Sequence, residues 1–203
     1  MFKSFSKLTA IITILTMSGC VSYNVTGPIG EPTQPATITS PRTAQLADVT
    51  VSVPDMDAAT RTSISRSLTT QIKQYVDKGG YFKQITEYPT RLGENDVVLN
   101  FNMTSLKGRR APHPAYFPGA LLTLTLWIWV NGPIDVDSFD LAGDLQIVDR
   151  DGKTLATSRE QVKFERNVGI YGREHWAPTM GAKQLSELVS TLLDTATARL
   201  AQQ

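Results

Sequence analysis

The sequence predicts an α+β fold: a mainly antiparallel sheet with two helices packed on one face, ordered β-α-β-β-β-β-β-α and preceded by a signal peptide and flexible linker. Three observations predict it. Apolar residues recur at helical spacing in two places, early and late in residues 46–203, while the stretches between them alternate with period two or end in tight-turn signals. Residues 21–45 instead hold Pro28, Pro32, Pro35 and Pro41 among Gly, Thr, Ser and Gln, with no apolar period. The chain has 203 residues, 41% hydrophobic and 19% charged, which is enough to build one core and excludes a disordered or multi-pass membrane chain. Its single Cys excludes an internal disulfide, and 20 Lys+Arg against 19 Asp+Glu gives no electrostatic reason to expect a nucleic-acid partner.

The N-terminus reads as three regions: Lys3 and Lys7, then the apolar stretch Leu8–Met17, then Ser18-Gly19-Cys20. This is the layout of a secretory signal peptide. Ten helical residues rise about 15 Å, half of the roughly 30 Å of hydrocarbon in a bilayer, so the stretch is too short to span. Met17-Ser18-Gly19-Cys20 resembles the lipobox of bacterial lipoproteins, with Met where Leu is usual, and the only cysteine of the chain stands where that chemistry needs it. The resemblance implies a diacylglycerol on the Cys20 sulfur, cleavage before Cys20 and a further acyl chain, palmitate-like, on the new amine. Three chains anchor firmly where one myristoyl-sized chain does not. Val21, rather than Asp, follows the cysteine, which by the same resemblance implies the outer membrane, facing the periplasm. The expected organisation is a signal peptide over 1–19, the acylated Cys and a flexible tether over 20–45, and a single domain over 46–203. Removing residues 1–19 turns the formal charge from +1 to −1.

The domain opens with an alternating strand, Ala47–Val53. Asp55 or Asp57 then caps a helix running to about Lys78, with Ile64, Leu68, Ile72 and Tyr75 or Val76 on its apolar face and Gly79-Gly80 at its end. Strands are expected over Phe82–Tyr88 and Asp96–Leu106, followed by a Pro-rich loop over 107–118. The most apolar stretch, Gly119–Val130, reads as a strand: Ala120 and every even position to Val130 is apolar, while Thr123, Thr125, Trp127 and Trp129 share the other face. It fits either a central strand covered on both faces or a membrane- or oligomer-facing strand with tryptophans at the interface. The second reading needs a ring of subunits to satisfy the backbone. Leu141–Val148 and Lys153–Glu165 form a hairpin through Asp149-Arg150-Asp151-Gly152. Thr179 caps a last helix whose apolar face is Leu185, Leu188, Leu192, Ala196 and Leu200. This element order is similar to that of a periplasmic domain family, which includes the N-terminal domain of the Tol-system propeller protein, the lipoprotein activators of peptidoglycan synthases and the curli and Pel secretion lipoproteins.

Few residues suggest chemistry. Lys107, Arg109, Arg110 and His113 make a basic patch suited to anionic headgroups or an acidic glycan, or simply a solvated loop. Asp135, Asp137 and Asp140 superficially resemble a calcium loop, but Asp140 occupies the position that needs Gly, and a solvated turn is the simpler reading. Tyr171, Arg173, Glu174, His175 and Trp176 follow Gly169 and form either a ligand pocket or a connecting loop. Glu174 and His175 would be the acid–base pair of an envelope hydrolase. No nucleophile, phosphate-loop or zinc motif accompanies them, and two histidines do not make a zinc site, so no metal or cofactor is expected. The expected function is therefore a non-enzymatic, lipid-anchored accessory or assembly subunit of an envelope or secretion complex. Its partners would be the bilayer through Cys20, an envelope protein and possible further copies of itself. Lys107, Arg109, Arg110, Trp127, Trp129, Tyr171, Arg173 and His175 are the candidate contacts. The alternatives are the hydrolase and an oligomeric pore built from strand 119–130.

Overall fold

A computed structural model describes residues 20–86, 88–123, 126–176 and 180–202, with the side chains of Arg173 and Glu174 outside that description. The proposed signal peptide, residues 1–19, and the expected cap Thr179 also lie outside it. The elements are β1 (Val21–Asn24), β2 (Ser40–Leu46), β3 (Thr50–Val51), α1 (Ala58–Gly79), β4 (Phe82–Thr86), β5 (Val97–Pro112), α2 (Tyr116–Leu122), α3 (Leu126–Trp129), β6 (Pro133–Val148), β7 (Thr154–Gly169), α4 (Arg173–Trp176) and α5 (Ala182–Leu200).

The fold is α+β, but the sheet is mixed. Its strands run β4-β2-β5-β6-β7, with β1 and β3 also pairing with β5. β2 lies parallel to both β4 and β5 (Ala44 opposite Ile85 and Val97), and β3 lies parallel to β5 (Thr50 opposite Asn102). The long strands are antiparallel. Across β5 and β6, Asn102 meets Asp144, the Ser105 hydroxyl donates to the Asp140 carbonyl and His113 N–H donates to the Ile134 carbonyl, so numbering falls on one strand as it rises on the other. β6 and β7 are joined through Asp149–Gly152, where Asp149 N–H donates to the Lys153 carbonyl and Gly152 takes a φ of 80°.

The chain divides into two compact units. Of the described residues, unit 1 takes those within Met1–Tyr23, Arg109–Ser138 and Glu165–Pro178, and unit 2 those within Asn24–Gly108, Phe139–Phe164 and Thr179–Gln203. The apolar core belongs to unit 2. In α1 the Asp57 carboxylate accepts from Thr60 N–H at 2.9 Å, Ile64, Leu68, Ile72, Tyr75 and Val76 are buried as the spacing predicts, and Gly80 ends the helix at φ 69°. α5 buries Leu185, Leu188, Leu192, Ala196 and Leu200, with Val189 and Leu193 beside them, and starts at Gly181. It rests on the hairpin: Ser158 Oγ donates to the Leu192 carbonyl at 2.7 Å, and Leu192 lies against Gly143.

Four expectations need correction. Residues 21–45 are not a free tether, because β1 and β2 form there, Val25, Ile29 and Ala44 are buried, and Gln71 on α1 accepts from Ile29 N–H at 2.6 Å and donates to the Thr26 carbonyl at 3.0 Å. The first strand of the domain is accordingly Ser40–Leu46, with only Thr50–Val51 remaining of Ala47–Val53. Residues 107–112 continue β5 instead of opening a loop, and Asp135, Asp137 and Asp140 lie inside β6 instead of in a turn. Gly119–Val130 is not a strand in its described part, which removes the pore strand along with the buried central strand. α2 and α3 occupy it, and the Thr123 hydroxyl links them by donating to the Gly119 carbonyl (2.7 Å) and accepting from Trp127 N–H (2.9 Å).

Candidate functional site

Unit 1 collects most of the residues that sequence reasoning singled out, and its interior is ionic. Along β6 the buried positions are odd: Asp137, Phe139, Leu141, Gly143, Leu145 and Ile147. A carboxylate therefore occupies a place in the strand pattern that hydrocarbon fills further along. Its side chain is 0% exposed. Arg110 on β5 grips it in a fork, Nε to Oδ1 at 2.6 Å and Nη2 to Oδ2 at 2.9 Å, and Arg166 on β7 adds Nη2 to Oδ2 at 3.2 Å. Such bidentate guanidinium–carboxylate pairs are the strongest of protein hydrogen bonds and fix orientation. The hydrogen bond to Asp137 raises the Arg110 pKa, against the opposing effect of burial. Arg110 Nη1 also donates to the His175 carbonyl at 3.1 Å, which fastens α4.

Tyr23 and His175 complete this cluster. Burial raises the Tyr23 pKa, helped by the Asp137 charge and opposed by Arg110 and Arg166, and its hydroxyl has no hydrogen-bond partner among the described residues. His175 Nδ1 stands 3.4 Å from Asp135 Oδ2, an ion-pair distance without hydrogen-bond geometry, and its ring meets Trp176 edge-on at 4.7 Å. The arrangement can hold three strands and α4 in register. No group of His, Cys, Asp and Glu suited to a metal occurs among the described residues. Sequence reasoning places Asp137 in a solvated turn and passes over Arg166 and Tyr23; the signal for Asp137 is its odd register with Phe139 and Leu141 once β6 is extended back to Pro133.

Outside this ionic interior, unit 1 exposes many large apolar residues. Leu121, Leu122, Leu126, Trp129 and Val130 of the α2–α3 segment are 63–82% exposed. Trp127 faces the other way: its indole donates to the Pro133 carbonyl at 3.1 Å, and a Cβ at Gly119 or Gly132 would stand 2.5 Å from its ring. Asn131, at φ 57°, accepts from Tyr171 N–H at 3.1 Å. Tyr171 and Trp176 are exposed, as is Val21. The remaining predicted contacts separate by orientation. Arg109 is exposed and its Nη2 donates to Cys20 Sγ at 3.1 Å, whereas Lys107 is exposed on the part of β5 that belongs to unit 2. Arg110 turns inward to Asp137. Arg173 lies in α4, its side chain outside the described residues, as is that of Glu174. Unit 2 carries a groove of about 570 Å³ between Pro28–Thr33 and α5, lined by Tyr75, Lys183, Glu187 and Ser190.

No family model matches the sequence, and no curated protein matches it. Solved structures do resemble the fold. A Xanthomonas campestris protein of the family DUF330 aligns at a TM-score of 0.51 with 8% identity, over 85% of this chain and 94% of that one. A minor lipoprotein from Acinetobacter baumannii aligns at 0.31 with 18% identity (80% and 91% covered), and a PelC dodecamer from Paraburkholderia phytofirmans at 0.30 with 11% identity (90% and 98% covered). The first likeness shows a shared fold and nothing about activity, and the other two are too distant to support an argument about this chain. No helix among the described residues is long and apolar enough to cross a membrane.

Proposed function

We propose that this chain is a non-enzymatic, lipid-anchored accessory subunit of a bacterial envelope complex, held by acylated Cys20 on the outer membrane and facing the periplasm. One observation carries the reading: the lone cysteine ends a lipobox-like sequence after an apolar stretch too short to span, and its thiol is exposed. Arg109 beside Cys20 supports it, since a cation at the attachment point suits the anionic headgroups that surround an acyl anchor. The groove of unit 2 offers surface for a protein partner. The test is metabolic labelling with a clickable fatty acid in cells expressing the wild type or Cys20→Ser, followed by separation of inner and outer membranes. Label in the wild type alone, in the outer-membrane fraction, is the expected result. Equal label in both, or none in either, refutes the anchor.

A further inference from the structure

Unit 1 is built inside out. Val168 is the one buried hydrophobic residue that it holds among the described residues, and its interior is otherwise occupied by Asp137 and the arginines around it. Its outside carries nine of the twelve large hydrophobic residues that are exposed among the described residues, six of them on or next to the α2–α3 segment (Phe117, Leu121, Leu122, Leu126, Trp129 and Val130). Soluble surfaces scatter such residues singly, so a concentration of this kind marks a surface that meets something apolar. Three observations identify what it meets. No Asp, Glu, Lys or Arg occurs between His113 and Asp135, so this stretch offers none of the charges by which protein partners set register. Its composition, Leu and Val with Trp and Tyr, is that of a segment lying at the boundary of headgroups and acyl chains, where amphipathic rings settle. Cys20 belongs to the same unit, with exposed Arg109 at its sulfur, so the lipid attachment point and the apolar segment are parts of one compact body.

We propose that the α2–α3 segment is a second membrane contact, seated in the headgroup–acyl boundary of the same bilayer that holds Cys20. The proposal rests on the lipid-anchor reading and deepens it. With the acyl chains alone the folded body would swing freely about Cys20. With α2–α3 inserted, unit 1 presents a fixed orientation to the membrane. Both helices are short, so the segment lies in the surface and does not cross it.

The thioether at Cys20 makes a clean test available. In acylated full-length protein extracted from envelopes, Leu122→Cys is the sole free thiol and takes a nitrobenzoxadiazole probe; Lys153→Cys, in the exposed β6–β7 turn, is the control. Leu122 is 82% exposed, so its replacement leaves the packing intact. Both proteins are reconstituted into vesicles of phosphatidylethanolamine and phosphatidylglycerol, and the mass of the Cys20 peptide is read in the same samples. The expected result is that emission at 122 shifts to the blue, is quenched by spin-labelled acyl chains and escapes aqueous iodide, while the probe at 153 stays open to iodide. Equal iodide quenching at both positions in protein with acylated Cys20 overturns the insertion and leaves the anchor standing. A Cys20 peptide without acyl mass overturns the anchor itself. Shielding at 122 that vanishes when vesicles carry fewer than one protein each assigns the surface to a second copy of the chain, and that too overturns the proposal.

Discussion

Position 137 places a carboxylate in the register that Phe139, Leu141, Leu145 and Ile147 fill with hydrocarbon, and two arginines close over it. Removing one partner of a buried ion pair leaves the others desolvated and uncompensated, so Asp137→Ala is expected to destabilise by about 3–5 kcal/mol, read as a drop in the urea midpoint. Arg166→Met should cost less, because Arg166 is the more exposed of the two arginines and Arg110 keeps its fork. This position also shows why the cluster was hard to find from sequence. Asp135, Asp137 and Asp140 read as a solvated turn because charge density suggests water, whereas the strand parity, which points Asp137 inward, becomes visible only once β6 is extended back to Pro133. A second residue gives a pH dependence. Burial pushes Tyr81 up to about 12 from 10.0, with a hydrogen bond to Ser190 acting the other way. The folded state thus favours the neutral phenol. The stability this contributes is complete below pH 10 and is lost as pH rises toward 12, about 2–3 kcal/mol in all. Urea midpoints between pH 9 and 12 should fall more steeply in the wild type than in Tyr81→Phe; parallel curves would reject the assignment.

Among the elements, legibility followed periodicity. α1 and α5 were readable because a long 3.6-residue stripe has few competing interpretations, and Asp57 and Gly80 bracket α1 with cap chemistry. The Pro- and Gly-rich stretch hid β1 and β2, since Val25 and Ile29 are spaced too irregularly to show a period and their partners are distant in sequence, Val25 N–H donating to the Leu106 carbonyl of β5 and Ile29 N–H to Gln71 of α1. Gly119–Val130 failed for a different reason. Leucines and tryptophans on every side satisfy both periods, and the choice falls to local contacts: the Thr123 hydroxyl between the two helices and the Trp127 ring held between Gly119 and Gly132. That ring predicts an element-scale outcome. In Gly132→Ala the new methyl would stand 2.5 Å from the indole, so Trp127 must leave its seat. The near-ultraviolet circular dichroism of tryptophan should then weaken, while the far-ultraviolet helical signal of α1 and α5 persists. Loss of both signals together would show that the segment is bound into the main core.

For the molecule as a whole, the division into two units has an energetic counterpart. Nearly all buried hydrocarbon among the described residues belongs to unit 2, whereas unit 1 relies on ion pairs and on backbone hydrogen bonds. Apolar burial stabilises by about 25 cal/mol per Å², while ion pairs lose much of their attraction to desolvation, so unit 1 is the weaker of the two. Regions with little buried apolar surface open at lower free energy than the core. The chain carries its own reporters for this difference. Trp127, Trp129 and Trp176, its three tryptophans, all fall in unit 1, whereas the long helices α1 and α5 that dominate the far-ultraviolet signal fall in unit 2. In a urea titration of the lipid-free protein, tryptophan emission should therefore change at lower denaturant than ellipticity at 222 nm, giving two midpoints instead of one. Coincident midpoints would mean that β5, β6 and β7, which run through both units, transmit stability fully and that unit 1 does not open first. Incorporation into vesicles should raise the tryptophan midpoint toward the helical one, since whatever covers the apolar outside of unit 1 supplies the burial that its interior lacks.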